Sequence, residues 1–155
     1  MSVEVVVGAV IGATVSLITT AAYDIVKDKA KEDRSRRVNS ASLIKELEMN
    51  LEYLKENEST GDVDESLLLH TSVFDSIISS GEFSSLNETV QQSLQQVYAA
   101  IKQNNQYAAL YSSILFQQTE RIDSSGVTIK QLIANAHKSL KKMIPDMIIV
   151  LRNSR

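Results

Sequence analysis

The longest apolar stretch of the chain runs from Val5 to Tyr23 and holds no charged side chain. A helix needs roughly 20 apolar residues to cross about 30 Å of hydrocarbon, and these nineteen residues come close to that length. A cleaved secretory signal and a buried helix are the alternatives, but a signal has basic residues before its apolar region and this stretch has none. The pattern therefore favours a retained transmembrane anchor over residues 1–26.

Beyond the anchor, apolar side chains recur at alternating spacings of three and four residues, the rhythm of coiled-coil packing. A helix over 38–58 carries the first stripe, formed by Ile44, Leu47, Leu51 and Leu54. The longest stripe lies in a helix predicted over 84–122 and comprises Val90, Leu94, Val97, Ile101, Asn104, Ala108, Tyr111, Leu115, Gln118 and Ile122. Each stripe has to be buried against another element, so the helices are expected to pack in a bundle.

A second helix between these two is predicted from capping and turn residues. Asp62 and Glu65 match the capping box that begins a helix, and the apolar residues between 67 and 78 give that helix a wide face to bury. Gly81 suits the left-handed residue that closes a helix. The second helix is therefore expected to run from about residue 62 to a turn at 79–81.

The starts of the third and fourth helices are predicted in the same way. Ser85 and Glu88 form another capping-box match ahead of the long stripe. A turn at 124–126 separates that helix from the last one, which contains Pro145. Because proline removes a backbone donor, we expect it to kink or restart the fourth helix.

The segment from Met147 to Leu151 is apolar on every side and is followed by Arg152 and Arg155. It is too short to span a membrane. Its residues either cap the core of the bundle, which we favour, or rest in the membrane interface beside anionic lipid.

No segment alternates between apolar and polar residues with the period of a strand. The predicted fold class is all-α: a single N-terminal transmembrane helix followed by an up-and-down bundle of three or four helices. The expected parts are an anchor over 1–26, a charged juxtamembrane helix over 27–37 and a helical bundle over 38–155.

Basic residues flank the predicted span only on its C-terminal side. Since Lys and Arg near a span stay in the cytoplasm, the N-terminus is expected outside and the bundle in the cytoplasm. The residues concerned are Lys27, Lys29, Lys31, Arg34, Arg36 and Arg37.

One face of the predicted span carries small residues at intervals of four, namely Gly8, Gly12, Ser16 and Thr20. Transmembrane helices associate where small residues let their backbones approach closely. The face therefore predicts packing against a second copy or a larger membrane protein, although small residues are also common in spans generally.

The net charge of −3 conceals an uneven distribution along the chain. Residues 38–120 include three basic and twelve acidic residues, whereas residues 121–155 include seven basic and two acidic ones. The acidic middle argues against nucleic acid as a partner, because phosphate binding needs clustered Lys and Arg. We expect the basic C-terminal segment to attract the acidic middle, within the domain or in a neighbouring copy.

The sequence contains no recognisable catalytic motif. It has no phosphate-binding glycine loop, nucleophile elbow or dinucleotide fingerprint, and no cysteine. His70 and His137 lie on different predicted helices without metal-ligand spacing, and we interpret them as a partly buried structural residue and a solvated one. No enzyme activity, metal or cofactor is therefore expected.

Asn104 interrupts the longest apolar stripe. A buried Asn in such a stripe fixes register or oligomeric state, whereas an Asn at a kink faces solvent, and the pattern favours neither. The predicted function is a non-catalytic, membrane-anchored interaction module, either an accessory subunit or a self-associating adaptor, with a membrane protein or second copy as partner and the lipid bilayer as its support. The alternative is a membrane-tethered sensor that binds a small ligand in the bundle, with Asn104 and Gln118 lining the pocket.

Overall fold

The computed structural model of the chain describes the backbone of residues 3–59, 65–117 and 124–154, and the side chains of residues 19–20, 22–55, 65–116 and 128–154. A 3-10 turn at Glu82–Ser85 lies among four helices: α1 (Val3–Ser59), α2 (Ser72–Ser79), α3 (Glu88–Gln117) and α4 (Ser124–Asn153). No strand occurs in these described ranges. The prediction of an all-α fold built on a helical bundle is confirmed.

The chain divides into two units, and the first, up to Ser35, is the N-terminal part of α1. Described side chains from Thr19 to Glu32 are exposed, including Thr20 of the predicted packing face. For the other three residues of that face, Gly8, Gly12 and Ser16, the structure describes the backbone alone.

The structure describes few side chains of the predicted anchor as well. Within the part of the chain that the structure describes, no helix is both long and apolar enough to cross a membrane. Most side chains of the stretch from Val5 to Tyr23 lie outside that part, so the anchor stays a prediction. The helix predicted over 27–37 is confirmed, and it is part of α1, which continues without a break into the bundle.

The second unit, from Arg36 onward, contains the hydrophobic core. The first predicted stripe is confirmed, because three of its members are buried and Leu51 packs against them half-buried. The long stripe is confirmed for its first seven positions, Val90, Leu94, Val97, Ile101, Asn104, Ala108 and Tyr111. It is wrong at Leu115, which is 46% exposed near the end of α3, and its last two positions lie outside the described residues.

Within this unit, α1 and α3 run in the same direction. The guanidinium Nε of Arg36 donates to the carbonyl of Ser85, just before α3 begins, at 3.1 Å. Ten residues further along α1, Glu46 accepts a hydrogen bond from Tyr98, which lies 13 residues after Ser85. Both helices therefore advance in the same sense from the first contact to the second. The segment between residues 65 and 87 therefore brings the chain back to the level of Arg36, so that α3 starts beside the middle of α1.

Helix α4 lies antiparallel to α3 and brings basic residues to the acidic middle of the chain. Lys130, near the start of α4, lies 5.3 Å from the ring centroid of Tyr111, near the end of α3. The same ammonium pairs with Glu65 at 2.7 Å, and Arg152 at the other end of α4 pairs with Glu48 at 2.7 Å. The expected attraction between the two charged regions thus operates within the chain.

The predicted start of the second helix is wrong. Helix α2 begins at Ser72 and not near residue 62, and residues 67–71 have no regular secondary structure. The cause is a set of long-range hydrogen bonds to residues 69–70, which a local pattern does not reveal. The predicted end is confirmed, since Gly81 adopts the left-handed conformation with φ of 78°.

The predicted starts of α3 and α4 also need correction. Helix α3 begins at Glu88, and the amide of Thr89 donates to Oδ1 of Asn87 at 2.9 Å, so Asn87 caps the helix in place of Ser85. Residues 124–126, predicted as a turn, are the first residues of α4. Helix α4 continues past Pro145 without the predicted restart.

The apolar C-terminal segment contributes to the core. Met147, Ile148 and Leu151 are buried, as the favoured placement requires, while Ile149 and Val150 are exposed. Contact of the two exposed residues with lipid stays a prediction.

Candidate functional site

Two asparagine side chains hold the non-helical segment that precedes α2. The amide of Asn50, on α1, accepts from the N–H of His70 at 2.7 Å and donates to its carbonyl at 2.9 Å. The amide of Asn105, on α3, pairs in the same way with Leu69, at 2.8 Å for both bonds. One amide can reach both groups of a residue because they point to the same side of an extended backbone. Asn50 and Asn105, which we call the asparagine clamp, therefore occupy both edges of residues 69–70.

The carboxylate of Glu46 is buried at the N-terminus of α2. It accepts hydrogen bonds from the amides of Val73 (2.7 Å) and Phe74 (3.3 Å) and from the hydroxyl of Ser72 (3.1 Å). The first amides of a helix have no partner within it and carry the positive end of its dipole, so a carboxylate there is stabilising. Thr71, which precedes α2, provides no side-chain cap, and Glu46 supplies one from α1.

Tyr98 completes the surroundings of Glu46. Its hydroxyl donates to the carboxylate at 2.8 Å, and its ring stacks on Phe74 with centroids 4.0 Å apart and planes 4° apart. Burial raises the pKa of the Tyr98 hydroxyl, and the negative charge of Glu46 raises it further. Tyr98 therefore remains protonated and keeps donating to Glu46 across the ordinary pH range.

We expect the folded chain to lose stability in alkaline solution because of Tyr98, and Tyr98→Phe to reduce that loss. Because the pKa of Tyr98 in the folded chain lies above the value of about 10 for unfolded tyrosine, its contribution is complete below that pH. The contribution declines as the pH rises from the unfolded pKa towards the folded one, since only the unfolded state loses the proton.

Denaturant unfolding of the full chain, followed by circular dichroism between about pH 8 and 11, measures this effect. The control is Tyr107→Phe, because Tyr107 is only half-buried and its hydroxyl accepts from Gln103 at 2.7 Å. The prediction fails if both variants lose stability with pH as steeply as the unsubstituted chain.

An open groove lies beside Glu46, between α1 and α2. It consists of two cavities of about 290 and 320 Å³, which share Ser42, Ser72 and Val73 and so form one continuous surface. The remaining lining residues are Lys45, Glu46, Met49 and His70 in the first cavity and Asn39, Ser76, Ile77 and Glu82 in the second. We call the two cavities together the α1–α2 groove.

Among the charged side chains of the α1–α2 groove, the carboxylates accept hydrogen bonds within the fold, whereas the lysine is exposed. Glu46 binds the start of α2, and Glu82 accepts from the amide of Asn39 at 3.0 Å. Lys45 is exposed and forms no ion pair with any residue in the described part of the chain. Its ammonium is therefore available to a ligand or partner.

Asn104 lies in the core and not at a solvated kink. Its side chain is fully buried, and neither Nδ2 nor Oδ1 has a hydrogen-bond partner among the described atoms. The alternative in which Asn104 faces solvent is therefore wrong. It does not line the α1–α2 groove, and Gln118, its predicted companion in a ligand pocket, lies outside the described residues.

The two histidines exchange the environments predicted for them. His137 is buried, because it continues the core-facing stripe of Ile133 and Leu140 along α4. His70 is exposed, with its ring centroid 5.5 Å from that of Tyr53, and only its backbone is held by the asparagine clamp. Among the described residues, no group of three or more His, Cys, Asp and Glu side chains could hold a metal ion.

The basic residues after the predicted span divide between the two units. Arg36 contacts the bundle through Ser85, as described above. The other five side chains, Lys27, Lys29, Lys31, Arg34 and Arg37, are exposed on α1.

The described part of the chain thus belongs to the class of all-α helical bundles, with one open groove beside a buried polar cluster. No protein-family model matches the chain, and comparisons with curated proteins and with solved structures find no match.

Proposed function

We propose that the chain is a non-catalytic, membrane-anchored helical interaction module, acting as an accessory subunit or self-associating adaptor of a membrane protein complex. Residues 1–26 anchor it, with the N-terminus outside. Residues 27–155 lie in the cytoplasm, where the bundle presents the α1–α2 groove to a partner.

The observation that carries the proposal is the exposure of three apolar side chains at the end of the predicted span. Tyr23, Ile25 and Val26 are 66%, 68% and 68% exposed. Successive residues of a helix are turned by about 100°, so these side chains point to different sides and one flat protein face would not cover them. Apolar side chains on several sides of a helix suit lipid, and Tyr is enriched where the membrane meets water.

The polar side chains around the start of α2 support a binding role over a catalytic one. Glu46, Asn50 and Asn105 each bind the backbone between residues 69 and 74, so their polar atoms hold the fold together. The α1–α2 groove remains as a surface that contains Lys45 and small hydroxyl side chains. Recognition by shape and charge is the activity that such a surface supports.

The same groove supports the second candidate function, a membrane-tethered sensor for a small ligand. Its cavities, of about 290 and 320 Å³, match the lower end of the range of about 300–1,000 Å³ for small-molecule sites. In this alternative the ligand would bind between α1 and α2 and not beside Asn104.

Fractionation of cells that express the full chain tests the anchor. We expect the chain to stay in the membrane after an alkaline carbonate wash and to leave it only in detergent. A variant with Val10→Lys and Val15→Lys should be washed off, because each charge at the middle of a span costs about 2.5–3.5 kcal/mol. The matched control is Val38→Lys, which changes an exposed apolar residue of the bundle and should stay in the membrane.

Protease protection on the same cells tests the orientation. Residues 27–155 should survive protease added to sealed cells and be degraded once the cells are permeabilised. Release of the unsubstituted chain by carbonate would contradict the anchor. Digestion in sealed cells would contradict the orientation, as would a glycan on Asn87, which begins the glycosylation triplet Asn87-Glu88-Thr89.

A further inference from the structure

One side of α1 forms a stripe along the groove, in which Ser42, Lys45 and Met49 line the groove and Val38 lies one turn before Ser42. Val38, Ser42, Lys45 and Met49 follow one another at spacings of four, three and four residues, so they lie on one line along the helix. The apolar members, Val38 and Met49, are 56% and 37% exposed. At 1.5 Å per residue the stripe is roughly 16 Å long, which equals about three helical turns.

The walls of the groove offer side chains and no free main-chain edge. The asparagine clamp occupies both edges of residues 69–70, and Glu46 binds the first amides of α2. A partner therefore cannot bind by adding a strand, which needs unpaired backbone groups. An amphipathic helix satisfies its own backbone and binds grooves through its side chains, so it is the segment that these walls accept.

The shape and charge of the groove restrict which side chains the partner helix carries on its contact face. Ser42, Ser72 and Ser76 line the groove with small side chains, which leave room for a helix to approach closely. The carboxylates of the groove are hydrogen-bonded within the fold, whereas Lys45 is available. An acidic side chain on the incoming helix would complement Lys45 and fix the register of the helix along the stripe.

We propose that the α1–α2 groove binds an amphipathic helix of a partner protein, about three turns long. Apolar side chains of this helix contact Val38 and Met49, and an Asp or Glu between them pairs with Lys45. The inference rests on the proposed function as an interaction module and names the kind of segment that the module recognises.

Photo-crosslinking of the full chain in its own membrane tests the proposal. A photoreactive phenylalanine analogue is placed at Met49, in the groove, and for comparison at Ser139, an exposed residue of α4. We expect the yield of crosslinked partner at position 49 to exceed that at position 139 by about tenfold or more. Mass spectrometry should map the crosslink to a segment with apolar residues at helical spacing and an acidic residue between them.

Charge reversal then tests the pairing. Lys45→Glu should lower the crosslinking yield about tenfold, and changing the acidic residue of the partner to Lys should restore it. Lys55→Glu makes the same charge change at an exposed residue of α1 away from the stripe, and should leave the yield unchanged. Circular dichroism should show the same helical content in both variants, because both residues are exposed.

The remaining outcomes separate this inference from the proposed function. Equal yields at positions 49 and 139, a crosslink to a second copy, or a yield insensitive to Lys45→Glu would overturn the groove proposal. Co-purification of one partner with both the unsubstituted chain and the Lys45→Glu variant would support the proposed interaction module, but its binding surface would then lie outside the groove. Recovery of no partner by the unsubstituted chain would overturn both.

Discussion

The substitution Glu46→Ala is expected to lower the free energy of unfolding of the bundle by about 3–5 kcal/mol, at the upper end for a single residue. It removes the acceptor of two amides at the start of α2 and of the Tyr98 hydroxyl. These donors are buried or half-buried, so each loses a hydrogen bond and gains little from water in return. Glu46→Gln, which keeps one acceptor oxygen, should give an intermediate loss.

Urea denaturation of the full chain in detergent, followed by circular dichroism, measures the change. The matched control is Glu48→Ala, two residues further along α1. Glu48 is exposed and pairs with Arg152 at the surface, so its loss should cost less than about 1 kcal/mol. If Glu46→Ala and Glu48→Ala differ by less than about 1 kcal/mol, the carboxylate does not hold the start of α2.

Two neighbouring asparagines are expected to respond to the same substitution with opposite signs. Asn104→Leu should raise the free energy of unfolding by about 1–3 kcal/mol, because it replaces a buried amide that has no partner among the described atoms with an apolar side chain of similar volume. Asn105→Leu should lower the free energy by about 2–3 kcal/mol. It removes two hydrogen bonds and leaves both backbone groups of Leu69 unpaired.

The pair serves as its own control, since the residue types and the position along α3 are nearly the same. Both variants are measured by urea denaturation under identical conditions. A loss of stability in Asn104→Leu as large as that in Asn105→Leu would mean that the amide of Asn104 is satisfied in the folded chain.

The helices of the bundle could be predicted because their signal is local. The stripe from Val90 to Tyr111 and the apolar stripe from Ile44 to Leu54 depend only on which residues recur at spacings of three and four, and both pack in the core, with Leu51 half-buried. The left-handed Gly81 was predictable for the same reason, because the conformational freedom of glycine acts at its own position.

The start of α2 and the polar cluster could not be predicted in this way. Asn50 and His70 are 20 residues apart, and Leu69 and Asn105 are 36 apart, so the bonds that keep residues 69–70 out of a helix connect elements that local propensity treats separately. One signal was available: Glu46 and Asn50 each precede a residue of the first apolar stripe, at the margin of the face that becomes buried. Position alone did not distinguish them from the solvated acids of the same helix.

Loops are usually where a folded chain opens first, and their amide protons exchange early with solvent. The asparagine clamp removes that weakness from residues 69–70, although they have no regular secondary structure. If His70 detached, the fully buried amide of Asn50 would lose both of its hydrogen bonds to that residue. We therefore expect the segment to stay bound as long as α1 remains packed in the core. This short connection is therefore expected to exchange its amide protons as slowly as the core of the domain, and to form in the same folding step in which α1 and α3 dock.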